Sequence, residues 1–243
     1  MASPLEQFAI EPIVRITVPD LGLDLSFTNS SLWMGIAVAC SYGLVMAGTR
    51  QRALVPGRLQ ALVELAYEFV AGMVRENAGR EGMRYFPWIF TLFMFVLFGN
   101  LLGIIPGAFT FTSHIIVTFT LAIGVFLGTT AVGFYIHGLR FLTFFVPSGA
   151  PKIMLPLLVP IEILSYCFRP ISLSIRLFVN MMAGHTMLKI FVGFAVALGI
   201  LFGWLPFSII VALNGFEIVV AFLQAYIFTI LTCLYLHDAI HLH

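Results

Sequence analysis

Five apolar stretches constrain this chain more than any motif in it. They run over about Ser31–Thr49, Tyr85–Ile105, Ile115–His137, Ile153–Gly203 and Phe207–Leu236. A run of about 20 apolar residues matches a hydrocarbon core of about 30 Å, so each stretch reads as a membrane helix. Charged residues are only 9% of the chain, against roughly 25% in a soluble domain. The chain therefore reads as an all-α membrane protein, one polytopic domain over 1–243, with membrane helices at 31–49, 85–105, 115–137, 153–203 and 207–236 and an outer N-terminal tail at 1–30.

Residues 56–79 differ in kind. Leu59, Leu62, Ala66, Phe69 and Met73 recur on one helical face, while Glu64, Glu68 and Arg75 gather on another. That pattern predicts an amphipathic helix lying along the membrane surface; a short soluble loop helix is the plainer reading. With five crossings and the N-terminus outside, the inner segments hold Arg50, Arg52, Arg58, Arg75, Arg80, Arg84, Arg140 and Lys152, and the outer segments only Arg15. The positive-inside rule favours this N-out, C-in arrangement. Glu6, Glu11, Asp20 and Asp24 in the tail do not oppose export. No basic segment followed by an apolar core suggests a cleaved signal peptide.

The last two stretches are too long for upright helices. Residues 171–203 would extend about 50 Å and residues 207–236 about 45 Å at 1.5 Å per residue. Separated by Trp204-Leu205-Pro206, each of them either breaks or lies strongly tilted. An oblique helix of this length could wrap a large curved partner.

Several chemistries find no support. There is no Walker loop, GxGxxG or HExxH, so no nucleotide, nucleic-acid or cofactor site is expected. Cys40, Cys167 and Cys233 are far apart and read as buried thiols. His237 and His241 have zinc-compatible spacing, but polar ends of a terminal helix account for them and no metal site is assigned.

The informative residues are ionisable groups inside the apolar runs. An arginine at the centre of a membrane helix costs about 2.5–3.5 kcal/mol on insertion scales, so Arg176 in ISLSIRLFVNMMAGH is a functional candidate. Arg169, Lys189, Glu162 and Glu217 are the other charges at comparable depth. Glu162, Arg169 and Arg176 are seven apart and share a face of a continuous helix. Asn180 is one turn beyond Arg176, and His185 falls on the opposite face. Glu217, Gln224 and Tyr235 lie within about 40° of one face of the final helix. If the last two helices are antiparallel, His185 and Glu217 approach at the outer end, where a carboxylate and an imidazole make a proton relay.

Each has a plainer reading. Glu162 also reads as an interfacial acid, His185 as a hydrogen-bonded core histidine, and Asn180 and Gln224 as interhelical glue. Lys189 also reads as a snorkelling side chain, and Arg169 as a structural partner of Glu162. Arg176 has no acid on its own helix nearer than Glu162, which places its partner on another chain.

Taken together, FGNLLGIIPG (98–107), SIRLFVNMMAGH (174–185) and LQAYIFTILTCLYL (223–236) resemble subunit a of the membrane sector of F-type ATP synthases. The resemblance covers most of the chain from about Leu54. It implies a proton-channel stator, not an enzyme by itself, with no cofactor. Its implied partners are a ring of c subunits, the peripheral-stalk b subunits, the soluble catalytic ATPase sector indirectly, and the lipid bilayer. By resemblance, Arg176 is the essential charge between two offset half-channels, Glu162 lies on the inner one, and His185 with Glu217 on the outer one. Asn180 and Gln224 are polar support, with Tyr235 in the same stripe. An acid at 217 and histidine at 185 exchange the arrangement of one well-known bacterial pattern and look like the alphaproteobacterial and mitochondrial branch. A bacterial plasma membrane is the expected location, the mitochondrial inner membrane the second choice.

The alternative from another class is an ion-coupled secondary solute transporter. Such folds show internal repeats and paired broken helices, which this chain lacks. A purely structural subunit of a respiratory complex would leave Arg176 unexplained.

Overall fold

The structure, a computed structural model, describes residues 10–15, 17–18, 23–24, 26–50, 53, 55–105, 107–146 and 153–241. Glu6, Asp20, Arg52, Pro106, Lys152 and much of the 1–30 tail lie outside the described residues. Two short antiparallel pairs precede the helices. Strand β1 (Pro12–Val14) pairs with β4 (Phe27–Thr28), and β2 (Thr17–Val18) with β3 (Leu23–Asp24). They deliver the chain to α1 (Asn29–Thr49), whose first turn is capped by the Thr28 hydroxyl accepting from the Ser31 amide at 3.4 Å.

Helix α2 (Arg58–Asn77) is amphipathic, but its inward face is Val63, Val70, Ala71, Met73 and Val74. Of the apolar face read from the sequence, Leu59 and Leu62 are exposed and Met73 is buried. A membrane offers an apolar side chain two destinations, protein and lipid, so periodicity alone does not say which stripe packs inward. Gly79, at φ +72°, ends α2 in the left-handed region. Helix α3 (Gly79–Gly82) and a 3-10 turn at Met83–Tyr85 then lead into α4 (Phe86–Gly103), with Pro87 in its first turn. After the turn at Gly107 comes α5 (Ile115–His137).

The last two stretches reverse earlier than the sequence suggested. Helix α6 spans Leu155–Ala197, the short α7 Gly199–Phe202, and α8 Trp204–Ile240. The reversal lies at 198–203, where Gly199 has φ +63°. Trp204-Leu205-Pro206 is therefore not the linker but the first turn of α8, where the missing Pro206 N–H would have had no intrahelical partner. Helix α6 passes through Pro160 and Pro170. At 43 and 37 residues, α6 and α8 extend about 65 and 55 Å, about twice the hydrocarbon thickness. They can lie in a bilayer only obliquely.

Among the described residues, five helical segments are long and apolar enough to span: Asn29–Thr49, Gly79–Gly103, Ile115–Phe145, Leu155–Ala197 and Trp204–Ile240. The protein is an all-α membrane protein. Its core lies where α2, α4, α5, α6 and α8 converge, on Val70, Val74, Ile89, Phe93, Val125, Leu173, Leu177, Phe228 and Leu236. Small residues such as Ala122, Ala221 and Ala225 let the helices approach. Buried hydroxyls bond back to their own helices, Thr229 to Ala225 O and Thr232 to Phe228 O, both at 2.8 Å. Others join α5 to α6: Thr118 with Ser174 at 3.1 Å and Thr130 with Tyr166 at 2.6 Å. Only Cys233 is a buried thiol; Cys40 and Cys167 are exposed, against the expectation, because an apolar thiol facing lipid loses nothing.

Candidate proton-conducting site

Helices α6 and α8 run antiparallel and meet in polar rungs. Arg169 Nη1 donates to Asp238 Oδ2 at 2.8 Å. Asn180 Nδ2 donates to Gln224 Oε1 at 3.5 Å. His185 Nδ1 stands 3.7 Å from Glu217 Oε1. As the position on α6 rises from 169 to 185, its partner on α8 falls from 238 to 217. The ladder brings together His185 with Glu217 and Asn180 with Gln224, which spacing alone had placed only on suitable faces.

Arg176 falls between the first two rungs and joins neither. It is exposed on α6 and makes no ion pair or hydrogen bond among the described residues. Its charge is felt electrostatically by Tyr235 on α8. Next to it on α6, Ile175 and Val179 are apolar and exposed, and Ser172 is exposed one turn before it. A guanidinium cannot be deprotonated here, so this face carries a fixed positive charge presented outward from the subunit.

Arg169 does not pair with Glu162. Two turns of helix separate those residues by about 10 Å, whereas Asp238 reaches across from α8. The guanidinium also lies 5.1 Å from the Tyr166 ring, 5.0 Å from Tyr235 and 5.8 Å from Phe144, within cation–π range. Tyr235 thus offers its ring to Arg169. Asp238 is a third acid inside the long helices that sequence reading missed, although its place one turn after Tyr235 continues the polar stripe of α8. Glu162 is half-buried and makes no ion pair or hydrogen bond among the described residues. Lys189 is exposed. His237 and His241 face each other at 3.2 Å between their Nδ1 atoms.

The His185–Glu217 end of the ladder is a buried polar column. Glu217 is enclosed, and neither carboxylate oxygen accepts a hydrogen bond from the described residues. Gln224 Nε2 and Asn100 Oδ1 are buried and likewise unmatched, while Asn100 Nδ2 donates to Ala221 O at 3.5 Å. Buried polar atoms are ordinarily matched, so a cluster of them on α4 and α8 without partners among the described residues sets this region apart from the apolar core. Asn100 was missed as a site residue, although an asparagine inside LFGNLLG was visible as an intramembrane polar group. Gly184 makes room for Glu217: a Cβ there would collide with Oε1. His185 Nε2 is 2.7 Å from Gly103 O and 3.0 Å from Thr110 Oγ1, which ties α6 to the loop between α4 and α5. An apolar groove of about 470 Å³ between α1, α4 and α5 opens elsewhere and carries no acid or base in its lining.

Residues 31–237 match the family described as ATP synthase A chain. The chain is 53% identical over 243 residues to ATP synthase subunit a of Rhodospirillum rubrum, covering 100% of both chains. It is 57% identical over 246 residues to the subunit a of Parvibaculum lavamentivorans, covering 98% of this chain and 93% of the relative. It is 54% identical over 244 residues to that of Pelagibacter ubique, covering 99% and 98%. The family match runs from the first turn of α1 to the last turns of α8, across every rung of the polar ladder but Asp238, and on that evidence this chain belongs to the ATP synthase A chain family.

Proposed function

We propose that the chain is the proton-conducting stator subunit of an F-type ATP synthase, with Arg176 separating two offset half-channels. The outer one runs through Glu217, His185, Asn100, Asn180 and Gln224. The inner one opens near Glu162, with the Arg169–Asp238 pair and Tyr235 bracing its wall. The observation that carries this reading is Arg176, exposed on α6 and unpaired among the described residues. A buried acid on a neighbouring rotor chain supplies the missing counter-charge. Its carboxyl passes Arg176 ionised, because an adjacent cation favours the charged form. It releases its proton on the inner side and reloads on the outer side. Since no proton can pass through the guanidinium, ions cross only when the rotor turns. Each charge crossing delivers about 2.3 kcal/mol per 100 mV.

The partners follow from this reading: a ring of c subunits against the oblique faces of α6 and α8, peripheral-stalk b subunits, and through them the catalytic sector. The membrane is the bacterial inner membrane. The N-terminus is periplasmic and the C-terminus cytoplasmic, with five crossings and α2 along the inner surface, where Arg50, Arg58, Arg75, Arg80, Arg84 and Arg140 gather. The test is ATP-driven acidification of inverted vesicles at matched complex levels. Arg176→Ala should assemble and abolish pumping; coupled pumping at the wild-type rate overturns the reading.

A further inference from the structure

The loop between α4 and α5 does more than join two helices. It folds back through Gly107, at φ +90°, so that Thr110 lies against the last residue of α4. The Thr110 hydroxyl is buried and donates to Gly103 O at 3.2 Å. The carbonyl of Thr110 is held in turn by the Ser113 hydroxyl at 2.6 Å and the Ser113 amide at 3.1 Å. A Cβ on Gly103 would come within 2.7 Å of the Thr110 methyl and 3.0 Å of its hydroxyl. The close approach therefore requires glycine at 103.

Both atoms face one nitrogen of His185. Gly103 O is 2.7 Å from Nε2, and Thr110 Oγ1 is 3.0 Å from it. A carbonyl oxygen can only accept, so a contact of this length is a hydrogen bond only if Nε2 carries the proton. The threonine hydroxyl, having spent its hydrogen on Gly103 O, meets Nε2 with a lone pair and asks for the same tautomer. The other ring nitrogen is turned the opposite way, 3.2 Å from Met181 O and 3.7 Å from Glu217 Oε1. A neutral ring has one N–H for these two sides, and Nε2, with the shorter carbonyl contact and a second acceptor, is the better place for it.

We infer that Thr110, with the carbonyl of Gly103, is a positioning residue that holds neutral His185 in its Nε2–H tautomer, so that Nδ1 is the ring atom exchanging a proton with Glu217. This rests on the outer relay proposed above. The step is a proton transfer: the O–H bond of protonated Glu217 breaks, an N–H bond forms on Nδ1, and a carboxylate and an imidazolium remain. The reverse restores the neutral pair. Were Nδ1–H the resting tautomer, Nδ1 could not accept a proton from Glu217, and Nε2 would turn its lone pair on the closer carbonyl, Gly103 O at 2.7 Å, rather than leaving Nδ1 to face Met181 O at 3.2 Å. A partner on one ring nitrogen deciding what the other can do is a general property of histidine.

The experiment uses the whole complex in proteoliposomes, labelled with ¹⁵N-histidine, with His185 assigned by its loss from the His185→Gln spectrum. Wild-type neutral His185 should show protonated Nε2 and bare Nδ1. Thr110→Val, which keeps the shape and removes the hydroxyl, should mix the tautomers and slow proton conduction severalfold. Thr110→Ser should restore both. A wild-type spectrum with the proton on Nδ1 overturns the inference, and decides it even if Thr110→Val fails to assemble. Wild-type conduction in Thr110→Val while His185→Gln is impaired overturns the role of Thr110 alone. Wild-type conduction in His185→Gln overturns the relay and the role built on it.

Discussion

His185 Nδ1 and Glu217 Oε1 stand 3.7 Å apart, just beyond a direct hydrogen bond, and the glycine before the histidine is what lets them come so close. Helix α6 presents no side chain at position 184, so the carboxylate occupies the space a methyl group would take. The separation leaves the two groups poised for transfer through a small approach or a single bridging water.

Gly184→Ala should therefore push Glu217 away from His185. Overpacking of this kind costs about 1–3 kcal/mol, less if the carboxylate swings aside. The expected result is a complex that assembles, with slowed proton conduction and a modest loss of thermal stability. Conduction at the wild-type rate would show that the close approach has no part in the relay.

Asp238→Asn should weaken the junction of α6 and α8. The pair is partly open, with side-chain exposures of 20% and 31%, so its loss should cost about 1–2 kcal/mol, between surface and buried pairs. A double-mutant cycle with Arg169→Gln, read by thermal unfolding of the complex, should show coupling between 169 and 238. The same cycle with Glu162→Gln should show none; strong coupling of 169 to 162 would contradict the ladder.

Asn100→Leu separates glue from channel. Asn100 is fully buried with only one weak bond, from Nδ2 to Ala221 O at 3.5 Å. Replacing a half-satisfied amide by an apolar group of similar shape should leave stability unchanged or raise it. Proton conduction should fall severalfold if the amide lines the outer path. A loss of stability with normal conduction would make Asn100 structural.

The loop should loosen in acid. His114 stacks on Phe109 with ring centroids 5.2 Å apart, and burial lowers its pKa below the ordinary 6.5 because the charged ring is poorly solvated there. The packed loop prefers neutral His114, while the opened loop takes up the proton more readily. Its packing is therefore at full strength above 6.5 and lost progressively as the pH falls below that value. Hydrogen exchange of 108–114, corrected for intrinsic rates, should speed up at about pH 5.5 relative to about pH 7.5. His114→Phe should remove the difference; an unchanged acid response in that variant would place the sensitivity elsewhere.

Some of this was legible because one-dimensional patterns carry it. Apolar length identifies helices that must satisfy their backbones inside lipid, and an arginine within such a helix declares a use for its charge. The polar faces of α6 and α8 could be read because helical periodicity is local. The misreadings arose where the reading had to choose between protein and lipid. Cys40 and Cys167 are exposed thiols, and Trp204–Pro206 looks like a break but begins a helix.

The sequence by itself determined the class of protein, the helices, the unusual length of the last two, and the polar stripes they carry, because all of these depend on composition and on residues a few positions apart. Only the tertiary structure decided which charges meet. Arg169 found Asp238 rather than Glu162, Glu217 found the gap at Gly184, and His185 received the orientation of its ring from Gly103 and Thr110. Each of those relationships joins residues far apart in the chain, and their distances are set by how closely two helices or a returning loop can pack, which no local pattern encodes.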